Sequence, residues 1–397
     1  MRPGPTPPSP SPATATVVID TSSPIARVAP EFVSFTMDSG SVYSLDLSGR
    51  NNNKSKDGYG ATLDVLVQAL LPARLRVGGT QGDYNVFVGF DNASNNFPIG
   101  STCSHLPPPM TPYRCKEVTP QDVASLLSFV ARNNLTLVWG LNDLFGRPTK
   151  TKPEQKMCKS SCPPRNTSNY ETLLTWLTTD ARGKELSQSI LAFELGNELN
   201  TCLNGDEGAR TQAADFATLR EKMDAAGLSR LLAGPDTHSA SEFQTAGLEW
   251  FASFAAAAKP VVDRFTFHMY SLGQGPKLDP KHLDASFLSA TSLDKCGDGV
   301  RALWHALEQQ PSLSLDDLHS LSLWAGETAA ANNGGQSGVT DTYIDAFWFL
   351  DQLMQLAALN VSTMFRQTFI SSHGYPLVEI QDRGTLLPLP DYWVGRG

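Results

Sequence analysis

Short apolar runs alternate with longer stretches of helical period along most of this chain. Eight runs read as strands: Phe32–Met37, Ala73–Val77, Leu135–Gly140, Ile190–Leu195, Arg230–Gly234, Arg264–His268, Ser320–Ala325 and Ser362–Thr368. Most are nearly continuous in apolarity and rich in Leu, β-branched or aromatic residues, as parallel strands covered on both faces require. Between them lie helical patterns such as Gln121–Asn133 and Thr340–Ala358. Strand–helix alternation repeated this way predicts an α/β fold of the (β/α)8 TIM-barrel type, with an open doubly wound sheet as the alternative. No short fixed-period repeat is visible.

A barrel places its chemistry at the C-terminal ends of its strands. Polar residues past the expected ends are therefore the candidates. They are Asp38, Gly78-Gly79-Thr80, Asn142-Asp143, Asn197-Glu198, Asp236, His268-Met269-Tyr270, Glu327 and His373-Gly374-Tyr375. Cleaving a glycosidic bond needs two carboxyl groups on opposite sides of the anomeric carbon. Glu198 and Glu327 follow the fourth and seventh runs, on opposite sides of the mouth. A lone strand-end Glu is usually a salt-bridge partner; the strand-Gly-Asn-Glu and strand-Gly-Glu contexts favour chemistry. Glu194 falls inside its run and is expected to be packed and hydrogen-bonded, while Glu198 faces the pocket. Asn197 is placed to meet a sugar hydroxyl. His268 and Tyr270 read either as carboxylate-tuning groups or as a packed aromatic pair. The RVGGTQGD stretch is a poor phosphate loop and a better tight turn. With seven histidines and no paired ligand spacing, no catalytic metal and no cofactor are expected.

Composition bounds the rest. The chain has 397 residues, 41% hydrophobic and 18% charged, and a net charge of -9, which argues against nucleic acid as a partner. No apolar run reaches the roughly 18 residues of a membrane span. Six cysteines (Cys103, Cys115, Cys158, Cys162, Cys202 and Cys296) favour loop disulfides over a metal site at Cys158 and Cys162. With the N-x-[ST] sequons at Asn53, Asn92, Asn134, Asn166 and Asn360, they point to an extracellular or lysosome/vacuole-like location. The Pro/Ser-rich residues 1–15 have no apolar segment of the signal-peptide kind and read as a disordered tail.

The stretches LPARLRVGGTQGDY, LTLVWGLNDLFGR, ILAFELGNELN, FTFHMYSLGQG, LWAGETAAANNGG and FRQTFISSHGYPL occur in the order found in heparanase-like glycoside hydrolases of family 79, and resemble the plant-type branch. The resemblance runs from about Thr16 to the end. It implies a retaining mechanism, with Glu198 as proton donor and Glu327 as nucleophile. It also implies recognition of a glucuronic acid unit in a polysaccharide or proteoglycan glycan. The contacts would fall on Asp38, Thr80, Asn197, Gly334, Gly374 and Tyr375, with His268 and Tyr270 beside the nucleophile. Backbone amides near Gly374 and the Tyr375 hydroxyl can hold a sugar carboxylate without a cation. Relative to the family, a C-terminal β-sandwich and the last barrel helix are expected to be missing. Residues 16–30 would be the strand region that pairs with that sandwich, and residues 31–397 the barrel. The basic stretch from Arg147 is either a contact for anionic glycan chains or a solvated loop. Two other functions stay open: a non-catalytic glycan-binding relative and a hydrolase of neutral β-glycans.

Overall fold

The computed structural model describes residues 18, 20, 22–45, 47, 59–90, 115–144, 167–238, 245–283, 287–381 and 385–396. The Pro/Ser-rich tail, residues 16, 17, 19 and 21 of the expected N-terminal strand region, the basic stretch from Arg147, Cys103, Cys158, Cys162 and the sequons at Asn53, Asn92 and Asn166 lie outside these residues. Cys115 is disulfide-bonded. Cys202 and Cys296 carry free thiols, so the expectation of disulfides does not extend to them.

Eight parallel strands close into a barrel. They are β1 (Val33–Asp38), β2 (Arg74–Gly78), β3 (Thr136–Leu141), β4 (Ile190–Leu195), β5 (Leu231–Thr237), β6 (Arg264–Met269), β7 (Leu323–Thr328) and β8 (Val361–Arg366). Each pairs with its neighbour in sequence, and β1 closes the ring against β8. The alternative of an open sheet is thereby excluded.

Helices cover the outside, and their local sequence explains them. In Pro120–Arg132, Thr119 caps the N-terminus and Asp122 returns the bond in a capping box. Proline occupies the first turn, where a missing N–H costs nothing. Val123, Leu126, Leu127 and Val130, at helical spacing, are fully buried against the barrel. The exterior of the barrel and these helices share one large apolar core, in which Trp139 and Trp348 are fully buried.

The barrel interior is separate. Val138, Ala192, Ala233, Trp324 and Phe365 form an apolar plug. Arg74 and Arg264 lie over the Trp324 ring, at 5.4 and 5.8 Å from its centre. Side chains alternate inward and outward along a strand. Two residues nearer the mouth, the corresponding positions on β3, β4 and β7 are Gly140, Glu194 and Gly326, and the two glycines open space around the buried Glu194 and Asp236 carboxyls.

Several strands run further toward the mouth than the apolar pattern implies. Asp38 is the last residue of β1, and Asp236 and Glu327 are the penultimate residues of β5 and β7, not residues beyond them. The largest displacement is at β7. Ser320 ends a helix, Leu315–Ser320, whose Ser314–Asp317 capping box starts it. The alternation in HSLSLWA continues that helix's tail into the strand and hides the boundary. β8 stops at Arg366, before Thr368. Beyond it lie a small sheet (Ile370–Ser371, Val378–Ile380 and Leu386–Pro388) and a helix, Pro390–Arg396.

Candidate active site

The two expected carboxylates converge. Glu327 is the penultimate residue of β7 and pairs in register with His268 of β6, across a register shift between Phe267 and His268. Such irregularities re-aim side chains next to functional sites. Glu198 follows β4 in a left-handed conformation, φ 55° and ψ 33°, after Gly196 at φ 79°. A non-glycine residue there is strained by about 1–3 kcal/mol, and its surroundings must hold it. The Glu198 amide donates to the Asp236 carbonyl at 2.8 Å, and the Asn197 amide donates to Asp83 Oδ2 at 2.8 Å. Those bonds fix the turn that aims Glu198 into the mouth.

His268 links the pair. Its ring is fully buried, with Nδ1 2.9 Å from Glu198 Oε1 and Nε2 3.4 Å from Asp236 Oδ1. Burial opposes a charged ring. The charge of Glu327, the contacts to Asp236 and Glu198, and the charge of Asp236 outweigh it and push the imidazole up to about 10. Glu198, His268 and Glu327 each bring one donor-type atom within 4.8 Å of the others.

Glu327 is held ionised. Burial raises its proton affinity, but His268, Arg76 and the Tyr270 hydroxyl together bring it below the ordinary glutamate range. Tyr270 donates to Glu327 Oε1, and Arg76 Nη1 donates to Glu327 Oε2 at 2.9 Å. Burial, then the charge of Glu327, keeps the Tyr270 phenol protonated, with its proton affinity well above that of a free tyrosine. Tyr375 stacks on Tyr270, with ring centres 6.4 Å apart.

The pattern of strand ends does not single out Arg76, yet it organises the site. It lies in mid-β2 and is 1% exposed. Its Nε donates to Glu194 Oε2 at 2.8 Å, and its Nη2 donates to Asp236 Oδ2 at 3.2 Å and to Asn197 Oδ1 at 3.3 Å. The sequence does carry a clue: a charged residue at an inward position of an apolar strand must be paired. Glycines make room for it. A Cβ on Gly78 would lie 2.8 Å from the Arg76 guanidinium, and one on Gly326 2.8 Å from Asp236 Oδ1. His238, also unmarked by the pattern, places Nε2 3.8 Å from Glu198 Oε2.

The remaining candidates ring the mouth. Asn197 Nδ2 donates to Thr80 Oγ1 at 3.5 Å. Asp38 accepts from the Gly40 amide at 2.6 Å. Burial raises the Asp38 carboxyl to about 6, the Gly40 bond opposing and the charge of Glu327 adding to the rise. Gly334 and Gly374 come from loops after β7 and β8. A Cβ on Gly374 would lie 1.8 Å from the Gly334 carbonyl oxygen, and one on Gly335 2.7 Å from Tyr375 Cδ1. The two loops and Tyr375 therefore meet. His373, by contrast, is exposed and bonds Ser372.

The model of glycosyl hydrolase family 79, N-terminal domain, matches residues 14–354. The chain belongs to glycosyl hydrolase family 79. Among its relatives, heparanase-like protein 3 of Arabidopsis thaliana is 25% identical over 91% of this chain and 60% of its own length. The baicalin-beta-D-glucuronidase of Scutellaria baicalensis is 24% identical over 94% of this chain and 68% of its own. This family 79 chain thus spans about 60% of the plant heparanase-like relative. A family 51 alpha-L-arabinofuranosidase from Bifidobacterium longum has the same barrel fold, with a TM-score of 0.61 at 13% identity, covering 96% of this chain and 74% of that one.

Proposed function

We propose that this protein is a retaining glycoside hydrolase that cleaves β-glucuronide linkages in glycans. The observation that carries the reading is the closeness of the two carboxyl groups. Their nearest oxygens lie within 4.8 Å. Retaining enzymes hold these groups about 5–5.5 Å apart, whereas inverting enzymes need roughly 6.5–9.5 Å to admit a water.

In the first step Glu327 attacks the anomeric carbon while Glu198 gives its proton to the departing oxygen. In the second, Glu198 takes a proton from water as that water displaces Glu327. Arg76 and Tyr270 hold the nucleophile's two oxygens in place. His268 bridges Glu198 and Asp236. Asp38, Thr80 and Asn197 line the sugar's hydroxyl side. The Gly334 and Gly374 loops, with Tyr375, receive its carboxylate through backbone amides and a hydroxyl. The names of the plant relatives support a glucuronide substrate, and the sequons and the disulfide at Cys115 support an extracellular or vacuole-like setting.

The test is hydrolysis of a chromogenic β-glucuronide at mildly acidic pH by the parent and by Glu327→Gln, with the first-formed anomer followed by NMR. Turnover that the substitution abolishes, with the β-anomer released first, is the expected result. Release of the α-anomer first would overturn the retaining assignment. A folded parent that leaves β-glucuronides intact would overturn the substrate assignment.

A further inference from the structure

Glu194 is a fully buried carboxyl group inside the barrel that the mechanism does not use. It is fully enclosed inside the barrel, one strand turn below Glu198. Counting donors around the three enclosed carboxylates separates them. Glu327 accepts from Tyr270 and from Arg76 Nη1. Asp236 accepts from Arg76 Nη2, while its Oδ1 accepts no hydrogen bond among the described residues but lies 3.4 Å from His268 Nε2, an ion-pair distance if the ring is charged. Among the described residues, Glu194 accepts from Arg76 Nε alone, and its Oε1 meets no donor. β3, on its other side, presents Gly140 and no charge.

The charges do not balance if all three carboxylates are ionised. With Glu198 carrying the acid's proton, Arg76 and a protonated His268 would then face Glu194, Asp236 and Glu327, leaving one net negative charge on groups of which only Glu327 is more than 1% exposed. An unpaired buried charge is costly enough that the group takes up a proton instead. The proton belongs where donors are fewest.

We propose that Glu194 is held as the neutral carboxylic acid and donates through Oε1 to Asp236, which keeps Asp236 ionised against His268. Glu194 is then a positioning residue, acting on the Glu198 and Glu327 pair through Asp236 and His268. Burial raises the proton affinity of Glu194 well above the ordinary glutamate range, Arg76 opposing and the Asp236 charge adding. Burial also works against ionised Asp236, but Arg76 and the contacts with His268 and Glu194 outweigh it and hold it below the aspartate range. The consequence for catalysis rests on the glycosidase reading; the protonation state does not.

Glu194→Gln tests it. An amide places its oxygen toward Arg76 and its NH2 toward Asp236, reproducing the neutral acid in shape, charge and donors. The measurement is an infrared spectrum of the full chain at neutral pH, parent minus E194Q, in the carbonyl region of protonated carboxylic acids. The subtraction is needed because Asp345 is also a buried carboxyl of raised proton affinity. The expected result is a folded E194Q whose difference spectrum shows the loss of one carboxylic acid band. A difference spectrum showing loss of a carboxylate band instead overturns the proposal. So does an E194Q chain that fails to fold, since a neutral isostere must be accepted at a neutral position. Neither readout uses turnover, so failure here is distinguishable from failure of the glucuronidase reading.

Discussion

Replacing Arg76 with methionine tests whether the site is held together by charge. The side chain lengths are similar and methionine fits irregular interiors, so lost packing is small. What is lost is the one guanidinium that reaches Glu194, Asp236 and Glu327. Breaking a buried pair by removing one partner costs about 3–5 kcal/mol, because the other charge is left uncompensated. Two ionised partners, Asp236 and Glu327, are left in this way, and proton uptake by one of them limits the penalty to about that single-pair figure. Specific unfolding entropies make this a fall of about 5 °C in Tm for a chain of this size. The pH dependence gives a second readout. Glu327 is held below the ordinary glutamate range in the folded chain, so it contributes stability above the unfolded-state value of about 4.3 that is lost as pH falls through its folded value. In Arg76→Met that contribution shrinks, and stability falls less steeply on acidification below about pH 4. The assay is thermal unfolding by circular dichroism from pH 3 to pH 7. A variant that melts within about 1 °C of the parent at neutral pH would refute the reasoning.

Tyr270→Phe keeps the stack on Tyr375 and removes the hydroxyl donated to Glu327. A hydrogen bond to a charged group is worth about 1.5–3 kcal/mol, so kcat on a β-glucuronide is expected to fall about tenfold to a hundredfold with Tm little changed. Asp38 has its folded value raised to about 6. The folded state therefore binds the proton more tightly, and stability declines as pH rises from about 4 toward 6. Asp38→Asn, which keeps a side-chain oxygen for Gly40, should gain about 3 kcal/mol over the parent at pH 7 and little at pH 4, measured by urea unfolding. Gly326→Ala places a methyl 2.8 Å from Asp236 Oδ1 and 3.3 Å from Thr266 Cβ. It should destabilise by about 1–3 kcal/mol, and an unchanged urea midpoint would show that β7 can shift outward.

The sequence by itself determined the barrel and its two candidate carboxylates. Continuous apolar runs separated by helical periods demand parallel strands covered by helices, and Gly-Asn-Glu after the fourth run and Gly-Glu at the seventh mark the mouth. Both signals are local, carried by neighbouring residues. The tertiary structure alone decided what surrounds them. Arg76 lies over 100 residues from Glu194 and about 250 from Glu327, and only closure of the ring puts one guanidinium between them. The meeting of Gly334 with Gly374 and the stacking of Tyr375 on Tyr270 likewise depend on adjacent loops packing across the mouth. The register of β7 belongs to the same class. Hydrophobic alternation there fits two offsets, and pairing with β6 and β8 selects the one that brings Glu327 beside His268. Local pattern sets which residues can form a strand, but charge compensation inside a closed barrel sets which side chains share it.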